Sequence, residues 1–213
     1  MTRGRWRDVA VLTCLLSLTG CTRAVDGVPT PGPETRTVSS PEELEELIVT
    51  EVPSGLPRLA DAELDPPAGA KRVEDIAEYS DDPARELAVL EDYGYRYGWE
   101  RFWGDGPETV TGVFVDQFES RAGAGSYAED LARNDAELYR GMLRENPPDL
   151  PGGCRLLTVD EEPDTGLSGP AAFAWCGHGV FSVSVTSIAD SVDAAEEEVR
   201  EVLAAQLDLL PPG

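Results

Sequence analysis

Two spacings of apolar residues alternate along this chain. Leu44, Leu47 and Ile48 recur every three to four positions, as on one face of a helix. Ahead of them Ser40, Pro41 and Glu43 supply a hydroxyl cap, a proline for the first turn and a carboxylate three residues after the cap. This predicts a helix that runs until Pro53. From 54 to 82 the pattern fades. Pro53, Pro57, Pro66 and Pro67 exclude a long element, and only Val73, Ile76 and Ala77 suggest a helical turn. Asp82-Pro83 opens the next helix, with Leu87 and Leu90 inward and Gly94 as its C-terminal cap.

The spacing then drops to two. Tyr95, Tyr97, Trp99, Arg101 and Trp103 alternate with Arg96, Gly98, Glu100 and Phe102, which predicts a strand. Gly104-Asp105-Gly106-Pro107 is a turn, and Thr109 to Glu119 returns as the second arm of a hairpin, whose imperfect alternation at Val113-Phe114-Val115 implies a strand covered on both faces or bulged at Gly112. Ser126 with Glu129 predicts another helix start, with Tyr127, Leu131, Leu138 and Met142 as its stripe and Pro147-Pro148 as its stop. Three strands follow at 154–159, 171–176 and 180–188. Gly177-His178-Gly179 is read as the turn between the last two, with the histidine side chain in water. Asp190 or Ser191 caps a closing helix whose inner side carries Val192, Ala195, Val199, Leu203, Gln206 and Leu210. Glu196, Glu197 and Glu198 are expected to face water.

Hairpin-linked strands with few helices imply an antiparallel sheet. The expected fold is α+β: one domain at 39–213, with about five strands and helices packed on one face.

Residues before this domain follow other rules. Arg3, Arg5 and Arg7 precede a mostly apolar run from Val9 to Leu18, interrupted at its edge by Asp8. A basic start and a short greasy middle are the marks of a secretory signal, and the run is too short to stay in a bilayer. Leu18-Thr19-Gly20-Cys21 resembles a bacterial lipobox. The resemblance implies cleavage after residue 20, a diacylglycerol on the Cys21 sulfur and display on the outer face of the cytoplasmic membrane, with the membrane as a partner through that anchor. Residues 21–38, rich in Pro, Gly and Thr, read as a tether.

Charge narrows the partners. The 213 residues carry 17 basic and 41 acidic side chains, for a net charge of −24. Such a surface repels nucleic acid and anionic lipid, and favours a cationic protein or a cell-wall fragment with cationic groups. Lys71 is the single lysine among the basic residues. Cys14 leaves with the signal and Cys21 is the lipid site. Cys154 and Cys176 remain, in a setting that permits disulfides, and are expected to pair. An antiparallel pairing that puts Cys154 opposite Cys176 also puts Leu156 opposite Ala174 and Thr158 opposite Ala172.

Candidate chemistry is sparse. His178 is the single histidine, and no catalytic triad can be assembled around it. Asp61, Glu63 and Asp65 begin like an EF-hand loop, but Pro66 and Arg72 occupy positions that need glycine and glutamate. Asp160, Glu161, Glu162 and Asp164 form an acidic loop. No metal site and no cofactor is expected. The aromatic row Tyr95, Tyr97, Trp99 and Trp103, with Arg101, has two readings: a core face under a helix, or a stacking surface for a glycan or peptide. Arg101 sits awkwardly in a dry core, which keeps the second reading open.

Gly94-Tyr95, Gly98-Trp99, Trp103, the glycine-rich turn, Phe114 and Phe118, and the helix from Ser126 resemble a pattern in uncharacterised lipoproteins and secreted proteins of high-GC Gram-positive bacteria. That resemblance implies an envelope location and carries no site residues. The expected function is a non-catalytic, membrane-anchored binding or sensing module. The alternatives are a wall-active hydrolase using paired carboxylates, or a purely structural surface protein.

Overall fold

The computed structural model describes residues 38–160 and 166–213. The expected signal, the Cys21 lipid site, all of the tether but Val38, and most of the acidic loop at 160–164 lie outside those residues. Val38 itself belongs to the domain. It is buried, and its carbonyl accepts from the Tyr97 hydroxyl at 3.0 Å and the Gln117 amide at 3.3 Å.

Chain order is α1 (Pro41–Glu45), β1 (Gly69–Lys71), α2 (Val73–Ala77), α3 (Pro83–Tyr93), β2 (Tyr95–Gly104), β3 (Val110–Phe118), α4 (Arg121–Tyr139), β4 (Met142–Glu145), β5 (Arg155–Val159), β6 (Ala171–His178), β7 (Phe181–Ile188) and α5 (Val192–Leu209). The strands form one antiparallel sheet of seven, in the order β1-β2-β3-β7-β6-β5-β4. The fold class is therefore α+β as expected, but the sheet has seven strands where about five were expected. The two extra strands are its edges. Each has only three or four residues, too few to show a period of two, and β4 is spelled in helix-favouring residues (Met-Leu-Arg-Glu).

Helices cover both faces of the sheet, which corrects the one-face expectation. On β6, Ala172, Ala174 and Cys176 join the core under α1 and α5. Ala171, Phe173 and Trp175 pack instead beneath α4, with Ala128 and Ala132. Leu90 of α3 and Ala77 of α2 extend that second layer around Tyr95, Phe118 and Tyr127. A sheet sealed on both sides hides the alternation that a half-wet sheet would show. Ser182 and Ser184 of β7 alternate with Phe181, Val183 and Val185 as on a half-wet strand, yet both are buried.

Local departures have identifiable causes. The helix at Pro41 stops after one turn because side chains from elsewhere satisfy the backbone beyond it. Gln206 donates to the Leu47 carbonyl at 2.7 Å and accepts from the Val49 amide at 3.0 Å. Arg101 donates to the carbonyls of Ile48 and Val49 at 3.2 and 2.9 Å. Helix α4 starts at Ser120, whose hydroxyl accepts from the Gly123 amide at 3.1 Å, and not at Ser126. Glycine at 123 is needed there: a Cβ would lie 2.0 Å from the Tyr93 carbonyl oxygen. The helix ends at Arg140 in a left-handed conformation, so Leu138 and Met142 of the expected stripe are exposed. Glu198, expected in water, is buried and accepts from Ser54 N and Oγ and from Thr111 Oγ1, at 2.9, 2.6 and 3.2 Å. His178 is the last residue of β6, half-buried, with Nε2 at 2.8 Å from the Pro211 carbonyl oxygen. The turn after it is Gly179-Val180, with glycine first, as a two-residue hairpin favours.

Cys154 and Cys176 form a disulfide, and Leu156 and Thr158 lie opposite Ala174 and Ala172 as expected. Both cysteines sit in the α1–α5 core. In the chain-entropy view, closing this loop stabilises by about 3 kcal/mol. The Cys154→Ala/Cys176→Ala double variant should lose about that amount in urea unfolding. A loss below about 1 kcal/mol would show that core packing alone holds β5 to β6.

Candidate functional site

Strand β2 sorts its side chains by parity, and one bulge resets the count. Between Tyr95 and Tyr97 the register with β3 shifts, so Tyr95 points to the α3–α4 side while Tyr97, Trp99 and Trp103 join the α1–α5 core. The expected five-residue row is thus split between two faces. None of it is an open ridge. Trp103 is 1% exposed, Arg101 3%, Tyr97 and Trp99 8%, and Tyr95 9%. The stacking-surface reading is corrected to a core reading. Arg101 tolerates the core because the Ile48 and Val49 carbonyls and the Glu45 carboxylate, at 3.3 Å, receive its N–H groups.

The other parity of β2 holds what the sequence reading missed. Glu100 projects on the α2–α3 side, where burial raises its pKa and Lys71 opposes that rise. Lys71 on β1 is paired in register with Gly98, which has no side chain to fill the space. Its ammonium lies 3.1 Å from Glu100 Oε2 and 2.5 Å from the Pro67 carbonyl oxygen, and 5.3 Å from the centre of the Tyr79 ring. The Tyr79 hydroxyl donates to Glu100, 3.0 Å from each carboxylate oxygen. Desolvation and the Glu100 charge push the Tyr79 pKa well up, so it stays a donor. Lys71 and Glu100 are both almost fully buried.

One row further along the sheet, Asp116 of β3 lies between Gly98 and Ser182 in register. Its carboxyl accepts from the Tyr95 hydroxyl at 3.0 Å. Burial raises its pKa to about 7, against the pull of Tyr95. The Ser182 hydroxyl, fully buried, has no hydrogen-bond partner among the described residues. A Cβ at position 98 would come 2.2 Å from the Asp116 carboxyl and 2.7 Å from the Tyr95 hydroxyl, so glycine at 98 makes room for that hydrogen-bonded pair.

Outside Lys71 a cleft of about 400 Å³ opens between β1 and α2. Pro66, Pro67, Asp75, Glu78 and Tyr79 line it, with Lys71 in its wall. Asp75 and Glu78 are three apart and exposed, so they share one face of the short helical segment. The arrangement holds charge in place and supplies hydrogen-bonding groups. Two of the acids with raised pKa, Glu100 and Asp116, are buried against tyrosines.

Lys71 had one sequence signal, its being the sole lysine in an arginine-rich chain. Glu100 and Asp116 had none, since they look like any of the chain's other acids. Asp61, from the expected failed EF-hand, accepts a two-oxygen contact from Arg58 at 2.9 and 2.8 Å. Among the described residues, no cluster of three His, Cys, Asp or Glu is placed to hold a metal ion, and no helix is long and apolar enough to cross a membrane. No known protein family, curated protein or solved structure matches the chain.

Proposed function

We propose that this chain is a lipid-anchored protein of the bacterial envelope that acts by binding, not by catalysis. The location rests on the basic start, the apolar run and Leu18-Thr19-Gly20-Cys21. The binding role rests on one observation: the β1–α2 cleft, lined by the exposed Asp75 and Glu78 and by Lys71, whose charge is neutralised by Glu100. Such a cleft carries excess negative charge in a chain already at −24, and both features favour a cationic partner, either a protein or a wall fragment bearing amines. The aromatic row has no part in this reading, because its side chains are spent on packing.

Location is tested by labelling. Labelled fatty acid should enter the full chain and disappear in Cys21→Ala, with the protein released from the membrane fraction. Incorporation that survives the change would move the anchor elsewhere. Binding is tested on the full chain in detergent. Association with a cationic partner should weaken when salt is raised from about 0.05 to about 0.3 M.

A further inference from the structure

Strand β4 is the last strand of the sheet, and among the described residues no strand pairs with its outer side. An unpaired edge offers backbone donors and acceptors to another strand, and proteins commonly block such edges with lysine or proline. Met142-Leu143-Arg144-Glu145 contains neither. Apolar surface adjoins it instead. Met142 is 67% exposed and Leu138, at the end of α4, is 62% exposed, more than any other large apolar side chain among the described residues. Charge around this edge is close to balanced. Glu129 is shared by Arg133 and Arg155, and Glu196 by Arg144 and Arg200. In a chain at −24, such a region is one that a second copy can approach with little repulsion.

Register decides whether a second copy fits. Two copies related by a two-fold axis pair β4 with itself, antiparallel. Directly opposed side chains then share a face of the sheet, so the axis must pass through a residue. Centred on Arg144, the pairing sets two guanidinium groups against each other. Centred on Met142, it sets Arg144 against Arg140 of the second copy. Centred on Leu143, it opposes no like charges. Leu143 then meets its own copy on the α4 side, where it borders the core. Met142 lies opposite Arg144, whose guanidinium is tied to Glu196 on the α5 side. Glu145 falls opposite Gly141 and next to Arg140, and both charges are exposed without an ion pair among the described residues.

We propose that β4 is a self-association edge, through which two copies of this chain join their sheets with Leu143 on the two-fold axis. Four residues a side make a small interface, so the dimer is weak in solution, with a dissociation constant on the order of 10–100 µM. A lipid anchor holds chains at high local concentration and favours it. The proposal depends neither on that anchor nor on a cationic partner, whose cleft lies at the opposite edge of the sheet.

Sedimentation equilibrium of the full chain in detergent, from about 5 to about 500 µM, should show monomer passing to dimer. Met142→Lys alters an exposed residue and leaves the fold alone. It sets an ammonium against Arg144 and should weaken the dimer at least about 10-fold. Met142→Glu should weaken it less. Net charge alone predicts the opposite order, because lysine lowers the repulsion between copies and glutamate raises it. Leu143→Cys should cross-link two copies under mild oxidation, with the wild type as control. Met142→Cys, whose copies stand two positions out of step, should cross-link far less. A chain that stays monomeric up to about 500 µM overturns the proposal and leaves the edge to another chain. So does a dimer indifferent to Met142→Lys, a dimer weakened more by Met142→Glu than by Met142→Lys, or cross-linking that favours position 142 over 143.

Discussion

Asp116→Asn is expected to stabilise the domain at pH 8 and to do nothing at pH 3. Asp116 is buried, and its pKa stands at about 7 against an ordinary 3.8. Below pH 3.8 the carboxyl is protonated folded or unfolded, and folding is not penalised. Between pH 3.8 and 7 the unfolded chain releases the proton while the folded chain keeps it, so stability falls as pH rises. Above 7 both states are ionised and the penalty is complete. A gap of that size corresponds to about 4 kcal/mol, an upper figure for a group so buried. Asparagine keeps an acceptor for the Tyr95 hydroxyl and carries no charge at any pH. Its amide also lies in register with the unpartnered Ser182 hydroxyl, which can accept from it. The charged and titratable neighbours that act on this position, Tyr95, Glu100 and Tyr127, are unchanged in the variant. The quantity to measure is the stability difference between variant and wild type, from urea unfolding at pH 3, 5 and 8. It should grow with pH and level off above about 7. A difference that is flat across this range would mean that Asp116 does not keep its proton in the folded state.

Arg101→Met should cost about 3 kcal/mol and loosen the segment after α1. The methionine fills much of the space, so the loss is mainly electrostatic. The carbonyls of Ile48 and Val49 lose their donors in a dry core, while Glu45 is half in water and loses little. Removing a buried guanidinium recovers part of the cost, since its own desolvation ends. The expected signature is local. Amides at 47–52 should exchange faster, including Val49, which donates to Gln206, while the β3–β7 amides in the sheet centre stay protected. Arg101→Lys should recover only part of the loss, because a single ammonium replaces a fork of donors. Unchanged exchange at 47–52 with a loss below about 1 kcal/mol would show that the guanidinium is not what holds this segment.

These two residues mark where reading the chain stops and the tertiary structure takes over. Local signals were strong where they depend on a few adjacent residues. The cap at Ser40, the helix from Pro83 to its left-handed Gly94, the β2–β3 hairpin and the closing helix were all legible, because capping and alternation are short-range physics. The pairing of Cys154 with Cys176 followed from having two candidates and one register. What the chain could not declare was anything decided by a partner distant in sequence. The helix at Pro41 is cut short by Arg101 and Gln206, which lie more than fifty and more than a hundred and fifty residues away. Helix α4 admits Gly123 because the Tyr93 carbonyl comes close to it, although propensity alone argues against glycine in a helix, and Gly177 of β6 in turn faces the α4 backbone at Gly125. One bulge after Tyr95 moved that tyrosine to the opposite face from Tyr97, and period-two reasoning has no means of counting an extra residue. The candidate site is the extreme case. Lys71, Tyr79, Glu100 and Asp116 come from β1, the turn after α2, β2 and β3. A lysine and two acids in a chain of 41 acids acquire meaning only when the sheet register sets Lys71 against Gly98 and withdraws the charges from water.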